Sequence, residues 1–122
     1  MVSLTDSYIA IEPLASRFAF ETWILPMEHK NRFENISAKE TYDLASGFQE
    51  TIDRINAAVE KSSHNLVVHA SPINEIENTL FHWHIEIMPK LGNVAGFEWG
   101  SGFYINPVFP ETAAEVLRDV TA

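Results

Sequence analysis

The chain has 122 residues, of which 46% are hydrophobic and 20% charged, a composition that is ordinary for a globular domain and excludes a disordered chain. Seventeen acidic residues against eight scattered basic ones give a net charge of −9, which disfavours a nucleic-acid groove. There is no signal-peptide pattern, no cysteine and no apolar run near the ~20 residues of a membrane helix. We therefore expect one cytoplasmic domain over residues 1–122, with neither nucleic acid nor a membrane as its partner.

The first half of the chain predicts two strands followed by a long helix. Residues 7–11 and 18–25 are short apolar runs closed by proline, and we expect them to pair as antiparallel neighbours. Ser37 followed by Glu40 matches a capping box, so a helix is predicted over residues 38–62. Its apolar stripe has helical spacing and consists of Leu44, Phe48, Ile52, Ile55 and Val59.

The second half predicts three more strands and a short helix. The strands are expected at residues 65–70, 80–88 and 97–105, the last one bent or bulged because glycines lie near and within it. Residues 111–120 follow a proline and predict the short helix. Few strands are separated by a crossover helix. We therefore expect an α+β fold, with a mostly antiparallel sheet of about five strands packed by one long and one short helix.

Residues 81–87 alternate without a fault between apolar and titratable side chains. Successive side chains of a strand point to opposite faces, so Phe81, Trp83, Ile85 and Ile87 are expected in the core. The other face presents His82, His84 and Glu86, spaced by about 6.6 Å along the strand. Two imidazoles in this arrangement can share one metal ion or serve one phosphate. The alternative is a solvated outer face without a function.

His29 follows the second predicted strand and is a further candidate ligand. If that strand pairs with the histidine strand, His29 joins His82 and His84, and three histidines are a common ligand set for Zn²⁺ or Fe²⁺. A lone histidine at a strand end is otherwise incidental. His64 and His69 have no such spacing, and we expect His69 to be half-buried and hydrogen-bonded.

Three segments carry a resemblance to a known family: residues 25–29 (LPMEH), 81–90 (FHWHIEIMPK) and 95–107 (AGFEWGSGFYINP). They resemble the second half of galactose-1-phosphate uridylyltransferases, which belong to the histidine-triad superfamily. The resemblance extends from about Tyr8 to Arg118, and the last two segments are the specific ones. It implies a histidine-triad-like fold for this chain.

The resemblance also implies that the full-length enzyme has two tandem histidine-triad domains with different roles. The full-length enzyme moves a uridylyl group from UDP-glucose to galactose 1-phosphate through a uridylyl-histidine. The nucleophile lies in a His-Pro-His-x-Gln motif of the first domain, which this chain lacks. The second domain holds a structural zinc or iron, so the resemblance makes His29, His82 and His84 metal ligands. The family's fourth ligand is a glutamate of the first domain.

The segment around Glu98 resembles the stretch that reaches toward the sugar across the family's dimer interface. Glu98 then matches the residue that accepts hydrogen bonds from hexose hydroxyls, and Phe97 matches the neighbouring aromatic position. The implied ligands are a hexose 1-phosphate and a UDP-hexose. The implied protein partner is a second copy or a second histidine-triad domain.

Two other functions remain open from the sequence. In the first, the chain is a self-sufficient histidine-triad nucleotide hydrolase or transferase with His84 as nucleophile. Glu86 in the third triad position, Trp83 inside the motif and the lack of a phosphate-cradling loop argue against it. In the second, the chain is a non-catalytic module that binds metal or sugar phosphate. The isolated chain is expected to be inactive if the nucleophile belongs to another domain.

Overall fold

A computed structural model describes residues 1–75 and 80–120. In these residues five strands form one antiparallel sheet: β1 (Ser3–Leu4), β2 (Tyr8–Ile11), β3 (Thr22–Pro26), β4 (His64–His69) and β5 (His84–Pro89). Their order across the sheet is β1-β2-β3-β5-β4, which makes β4 an edge strand. The predicted α+β class and the antiparallel pairing of the first two predicted strands are confirmed.

The helices are α1 (Ala38–Ala58), α2 (Gly96–Ser101) and α3 (Pro110–Asp119), preceded by a short 3-10 turn at Phe33–Asn35. The predicted capping box is present at the start of α1. The Ser37 hydroxyl accepts from the Glu40 backbone N–H at 3.1 Å, and the Ser37 N–H donates to the Glu40 carboxylate at 2.7 Å. Over the described part of the chain, no helix combines the length and the apolar character that crossing a membrane requires.

The strand predicted at residues 97–105 is wrong, because α2 occupies the first part of this segment. Aromatic side chains and glycines suggested an extended, bent strand. The backbone instead makes a short helix that ends at Gly102, which has φ 75° and donates its N–H to the Glu98 carbonyl at 2.9 Å. A left-handed residue at this position is a common helix ending and favours glycine. The fifth strand is β1, which pairs with β2.

Two predicted strands are also shorter than expected at their N-terminal ends. β3 begins at Thr22, because the preceding residues form a loop that wraps around the buried carboxylate of Glu21. β5 begins at His84, so His82 and Trp83 precede the strand, and the Trp83 N–H donates to the Lys30 carbonyl at 2.9 Å. The helix α1 ends at Ala58 rather than at residue 62.

One face of the sheet forms the core with the helices. Of the predicted inward positions, Trp83, Ile85 and Ile87 are buried, and Phe81 is half-buried and packs against the core. The Trp83 ring packs against those of Tyr8 and Phe33. Leu44 and Ile55 of α1 and Leu117 of α3 complete this core. Strand register places a second set of side chains on the opposite side of β3, β4 and β5. This open face includes Trp23, Asn65, Val67, His69, His84, Glu86 and Met88.

Candidate metal site and neighbouring cavity

Three titratable side chains of the open face converge where β4 pairs with β5. His69 lies directly opposite His84 in the strand register, and Glu86 follows two residues later on the same face. The Glu86 Oε1 atom is 3.3 Å from His69 Nε2 and 3.3 Å from His84 Nε2. The candidate ligand atoms of the three residues all lie within 4.8 Å of one another. We call this group the histidine–glutamate cluster.

The hydrogen bonds of His84 determine which of its two ring nitrogens presents a lone pair to the cluster. His84 Nδ1 lies 3.2 Å from the carbonyl oxygen of His82, and a carbonyl oxygen only accepts. Nδ1 therefore donates, and Nε2 of a neutral His84 carries the lone pair. That lone pair points toward the Glu86 carboxylate oxygen, which is also an acceptor. Two facing acceptors require a proton or a cation between them.

Ring stacking fixes the orientation of the cluster. The His84 ring lies between the indole of Trp23, at 4.5 Å and 20°, and the ring of His69, at 5.0 Å and 22°. Glu86 is only 5% exposed, whereas 44% of the His69 side chain is exposed. The stacked rings therefore hold His84 in one orientation, Glu86 is buried, and the cluster is open to solvent on the side of His69.

Glu86 has a third partner, Arg17, in the loop before β3. Arg17 Nη2 is 2.5 Å from Glu86 Oε2 and 3.3 Å from Oε1 of the buried Glu21. Partial burial of the Arg17 guanidinium lowers its pKa, but the hydrogen bonds and charges of the two carboxylates outweigh this and raise it. Glu21 also accepts from the Trp23 indole N–H at 3.0 Å.

The predicted ligands His29 and His82 lie beside each other, with ring centroids 4.9 Å apart. His82 Nε2 is 2.8 Å from the Pro26 carbonyl oxygen, so this nitrogen is a donor. β3 and β5 pair as neighbours, as the ligand hypothesis required. The structure nevertheless directs His84 toward His69, and the set of His29, His82 and His84 stays a prediction.

Sequence reasoning missed the part that His69 plays in this cluster. It was expected to be half-buried and to have no site role, yet it is exposed and faces His84 across the strand pair. The signal available was that His69 and His84 lie on two consecutive predicted strands, which pair directly in the sheet. Arg17 had no signal in the sequence, because its contacts depend on how the loop before β3 folds.

A cavity of about 460 Å³ lies on the same side of the sheet, next to the cluster. Its walls include Met88, the next open-face residue of β5 after Glu86, as well as Phe18, Lys90 and the half-buried Glu98. Phe97 is 62% exposed and is not part of the cavity wall. Of the two predicted sugar-contacting residues, the structure therefore places Glu98 at a cavity and Phe97 on the surface.

The donor set of the cluster suits a first-row divalent metal. Imidazole nitrogens and a carboxylate oxygen are the ligands that zinc and iron(II) accept in proteins, and the chain contains no thiolate that would compete. A bound cation would satisfy the facing acceptors of His84 and Glu86 in place of a proton between them. These residues therefore fit a bound zinc or iron ion.

The order and pairing of the strands, together with the helices, define a histidine-triad-like fold. Among solved structures, a zinc-bound histidine-triad family protein from Mycobacterium smegmatis matches with a TM-score of 0.65 at 17% identity, over 96% of this chain and 79% of that one. At this level of identity the likeness shows the fold alone. The predicted histidine-triad-like architecture is thus confirmed.

The model of the family "galactose-1-phosphate uridyl transferase, C-terminal domain" matches residues 1–122. The chain belongs to this family, so the predicted resemblance is confirmed. An ADP-glucose phosphorylase from Arabidopsis thaliana is 33% identical over 99% of this chain. Its crystal structure with bound ADP-glucose matches with a TM-score of 0.94, over 99% of this chain and 40% of that one.

A galactose-1-phosphate uridylyltransferase from Thermotoga maritima is 28% identical over 94% of this chain. The chain spans only 35% of the length of the Arabidopsis relative and 39% of the Thermotoga relative. The matched relatives are thus nucleotidyl-transferring or phosphorolytic enzymes of which this chain corresponds to one part.

Proposed function

We propose that this chain is the metal-holding and hexose-phosphate-contacting domain of a nucleotidyl-transferring enzyme. The histidine–glutamate cluster carries the proposal, because His84 and Glu86 present facing acceptors that a cation would join. The ion would be zinc or iron, held by His69, His84 and Glu86, and would supply structural cross-linking of β4 to β5. The transferred nucleotidyl group would be carried by a histidine of another domain.

Metal analysis of the purified chain tests this site. We expect about one zinc or iron ion per chain, with loss of the ion in His69→Ala and weaker binding in Glu86→Gln, whose amide oxygen is a poorer ligand than a carboxylate. His64→Ala is a matched control, because its side chain lies on the same strand but alternates to the opposite face. A metal-free wild-type chain that also fails to take up added Zn²⁺ would contradict the proposal.

The same measurement separates the two ligand sets. His84 belongs to both, whereas His29 belongs only to the set predicted from the sequence and His69 only to the cluster. Loss of metal in His69→Ala with retention in His29→Ala assigns the ion to the cluster. The reverse result assigns it to His29, His82 and His84.

The alternative with His84 as a nucleophile is disfavoured by the surroundings of this side chain. Its Nε2 atom already faces the buried carboxylate of Glu86 at 3.3 Å, where an incoming phosphate would meet negative charge. The rings of Trp23 and His69 cover both faces of the imidazole. If nucleotide hydrolysis by the purified chain were abolished in His84→Ala, this alternative would replace the proposal.

The proposed hexose contact is Glu98, supported by its place in the cavity wall. A carboxylate can accept from two sugar hydroxyls, and the apolar wall with Phe18 and Met88 suits the carbon face of a sugar ring. Lys90 in the same wall offers a positive charge for a phosphate. Phe97 would contact a ligand only from the surface side.

Calorimetric titration with galactose 1-phosphate tests the proposed contact of Glu98 with the sugar. We expect weaker binding in Glu98→Gln and no change in the exposed control Glu115→Gln.

The nucleotide donor would be a nucleoside diphosphate hexose. UDP-hexose is the donor that the family name implies, and ADP-glucose is favoured as a second candidate by the 33% identity to the Arabidopsis phosphorylase. The isolated chain should release no product from UDP-glucose with galactose 1-phosphate, or from ADP-glucose with phosphate. Clear turnover by the isolated chain would refute the assignment of the nucleophile to another domain.

The proposed protein partner is a second histidine-triad domain, in the same molecule or in a second copy. The edge strand β4 supports this, because Leu66, Val67 and Val68 are all substantially exposed on a strand with one free side in the described part of the chain. Exposed apolar edge strands are ready to pair with another sheet.

A further inference from the structure

Two buried carboxylates share one cation behind the histidine–glutamate cluster. Glu21 is 1% exposed and Glu86 is 5% exposed, yet both approach the same guanidinium nitrogen of Arg17, at 3.3 Å and 2.5 Å. Buried carboxylates persist when they are paired or bound to a metal. Because one guanidinium is shared between two carboxylates, the second oxygen of Glu86 is left for the partners at the cluster.

The guanidinium is fixed in place by its own loop. Glu21 Oε2 accepts from the Arg17 backbone N–H at 2.7 Å and from the Phe18 N–H at 3.3 Å, so the backbone and the side chain of Arg17 are fastened to one carboxylate. The guanidinium also lies 5.8 Å from the ring centroid of Phe18 and 5.9 Å from that of Tyr104. An arginine held on several sides can orient a partner that contacts it.

We propose that Arg17 is a positioning residue for the metal site: it holds Glu86 Oε2, so that Oε1 alone faces His69 and His84 as a single-oxygen ligand. This rests on the proposed metal function of the cluster. The two carboxylate oxygens of Glu86 have different partners: Oε2 is 2.5 Å from the arginine, and Oε1 is 3.3 Å from both imidazoles. Residues behind a metal ligand orient it and tune its affinity.

Positioning and simple electrostatics predict opposite effects when Arg17 is removed. Electrostatics alone would make a divalent ion bind more tightly, because a nearby positive charge has gone. Loss of positioning would make it bind more weakly, because Glu86 becomes free to rotate both oxygens away from the cluster. Substitution of residues behind a metal ligand commonly weakens metal binding by about 10–100-fold.

The test measures Zn²⁺ affinity of the 122-residue chain by competition with a chromophoric chelator. We expect Arg17→Met to weaken binding by about 10–100-fold, and Arg17→Lys, which keeps the charge but loses the planar fork, to recover only part of this. Arg118→Met is the matched control, since Arg118 is exposed on α3 and bonds to the Met1 carbonyl. Circular dichroism of each metal-free variant establishes that it is folded.

A double-variant cycle shows whether Arg17 acts through Glu86. In a Glu86→Gln background, Arg17→Met should cause no further loss of Zn²⁺ affinity. The visible absorption of the Co²⁺-loaded Arg17→Met chain should also shift toward that of Glu86→Gln. A purely structural role of Arg17 would produce neither result, and equal losses in both backgrounds would overturn the proposal.

Failure of this inference is distinguishable from failure of the metal site. If the wild-type chain binds Zn²⁺ through His69 and Arg17→Met binds equally well or more tightly, Arg17 is not a positioning residue and the metal site stands. If Arg17→Met does not fold, the Arg17→Lys affinity decides, and an unchanged value overturns the proposal. If the wild-type chain takes up no Zn²⁺, both are wrong.

Discussion

Glu12, which directly follows β2, is the acid from which we predict the largest effect of pH on stability. It is 9% exposed, and burial raises its pKa to about 8, with the charge of Glu21 adding to the rise and the hydrogen bond from Thr22 opposing it. The Thr22 hydroxyl donates to Glu12 Oε1 at 2.7 Å. Glu12 Oε2 is buried without a hydrogen-bond partner among the described residues. The folded protein therefore favours the neutral, protonated acid.

The magnitude follows from the difference between the two pKa values. An ordinary glutamate titrates near 4.5 and folded Glu12 near 8, and each unit corresponds to about 1.36 kcal/mol, which amounts to ~5 kcal/mol. Between these values the folded state binds more protons than the unfolded state. The Glu12 contribution is therefore fully present below about pH 4.5 and is lost as the pH rises through about 8.

Urea denaturation followed by tryptophan fluorescence at pH 5, 7 and 9 checks this for Glu12→Gln, which cannot ionise. We expect the variant to gain stability over the wild type as the pH rises, by several kcal/mol between pH 5 and 9. A change in the free energy of unfolding that the new amide group causes equally at every pH shifts the whole curve and leaves its slope with pH unchanged. The exposed control Glu115→Gln should follow the wild type. Parallel curves for Glu12→Gln and the wild type would refute the reasoning about burial.

Three further predictions follow from particular contacts. Ser37→Ala removes the hydroxyl that caps α1 and should lower the free energy of unfolding by about 1 kcal/mol in urea titrations; an unchanged value would mean that Glu40 caps the helix alone. Gly102→Ala forces a side chain into a left-handed position at φ 75° and should cost about 1 kcal/mol by the same measurement, whereas a neutral result would show that α2 ends differently. Leu66→Lys places a charge on the exposed edge strand β4 and should shift the chain toward the monomer in sedimentation velocity; a wild-type chain that is already monomeric would contradict self-association through this edge.

The strand periodicity of the sequence was sufficient to predict the core and one side of the site. The alternation in residues 81–87 correctly separated the buried Trp83, Ile85 and Ile87 from the side of His84 and Glu86. This worked because a strand has a period of two whatever its neighbours are. The capping box of α1 was also predictable, since it depends on residues three positions apart.

The failed predictions concern features that depend on the environment rather than on local pattern. The segment around Gly102 has the composition of a strand, but its backbone forms a short helix that ends where the Gly102 N–H donates to the Glu98 carbonyl. The partnership of His69 with His84 requires the order of strands across the sheet, which alternation in a single strand does not contain. The role of Arg17 requires in addition the path of a loop around a buried acid.

The strand β5 joins the candidate site to the core through neighbouring residues of one segment. Ile85 and Ile87 belong to the core while Glu86 between them belongs to the cluster, and β5 is hydrogen-bonded to β3 on one side and β4 on the other. Because β5 has a neighbouring strand on each side, its backbone amides should exchange with solvent only when the whole domain unfolds. An ion bound at Glu86 would consequently slow hydrogen exchange at every amide that exchanges by this global unfolding, including amides of the core far from the site.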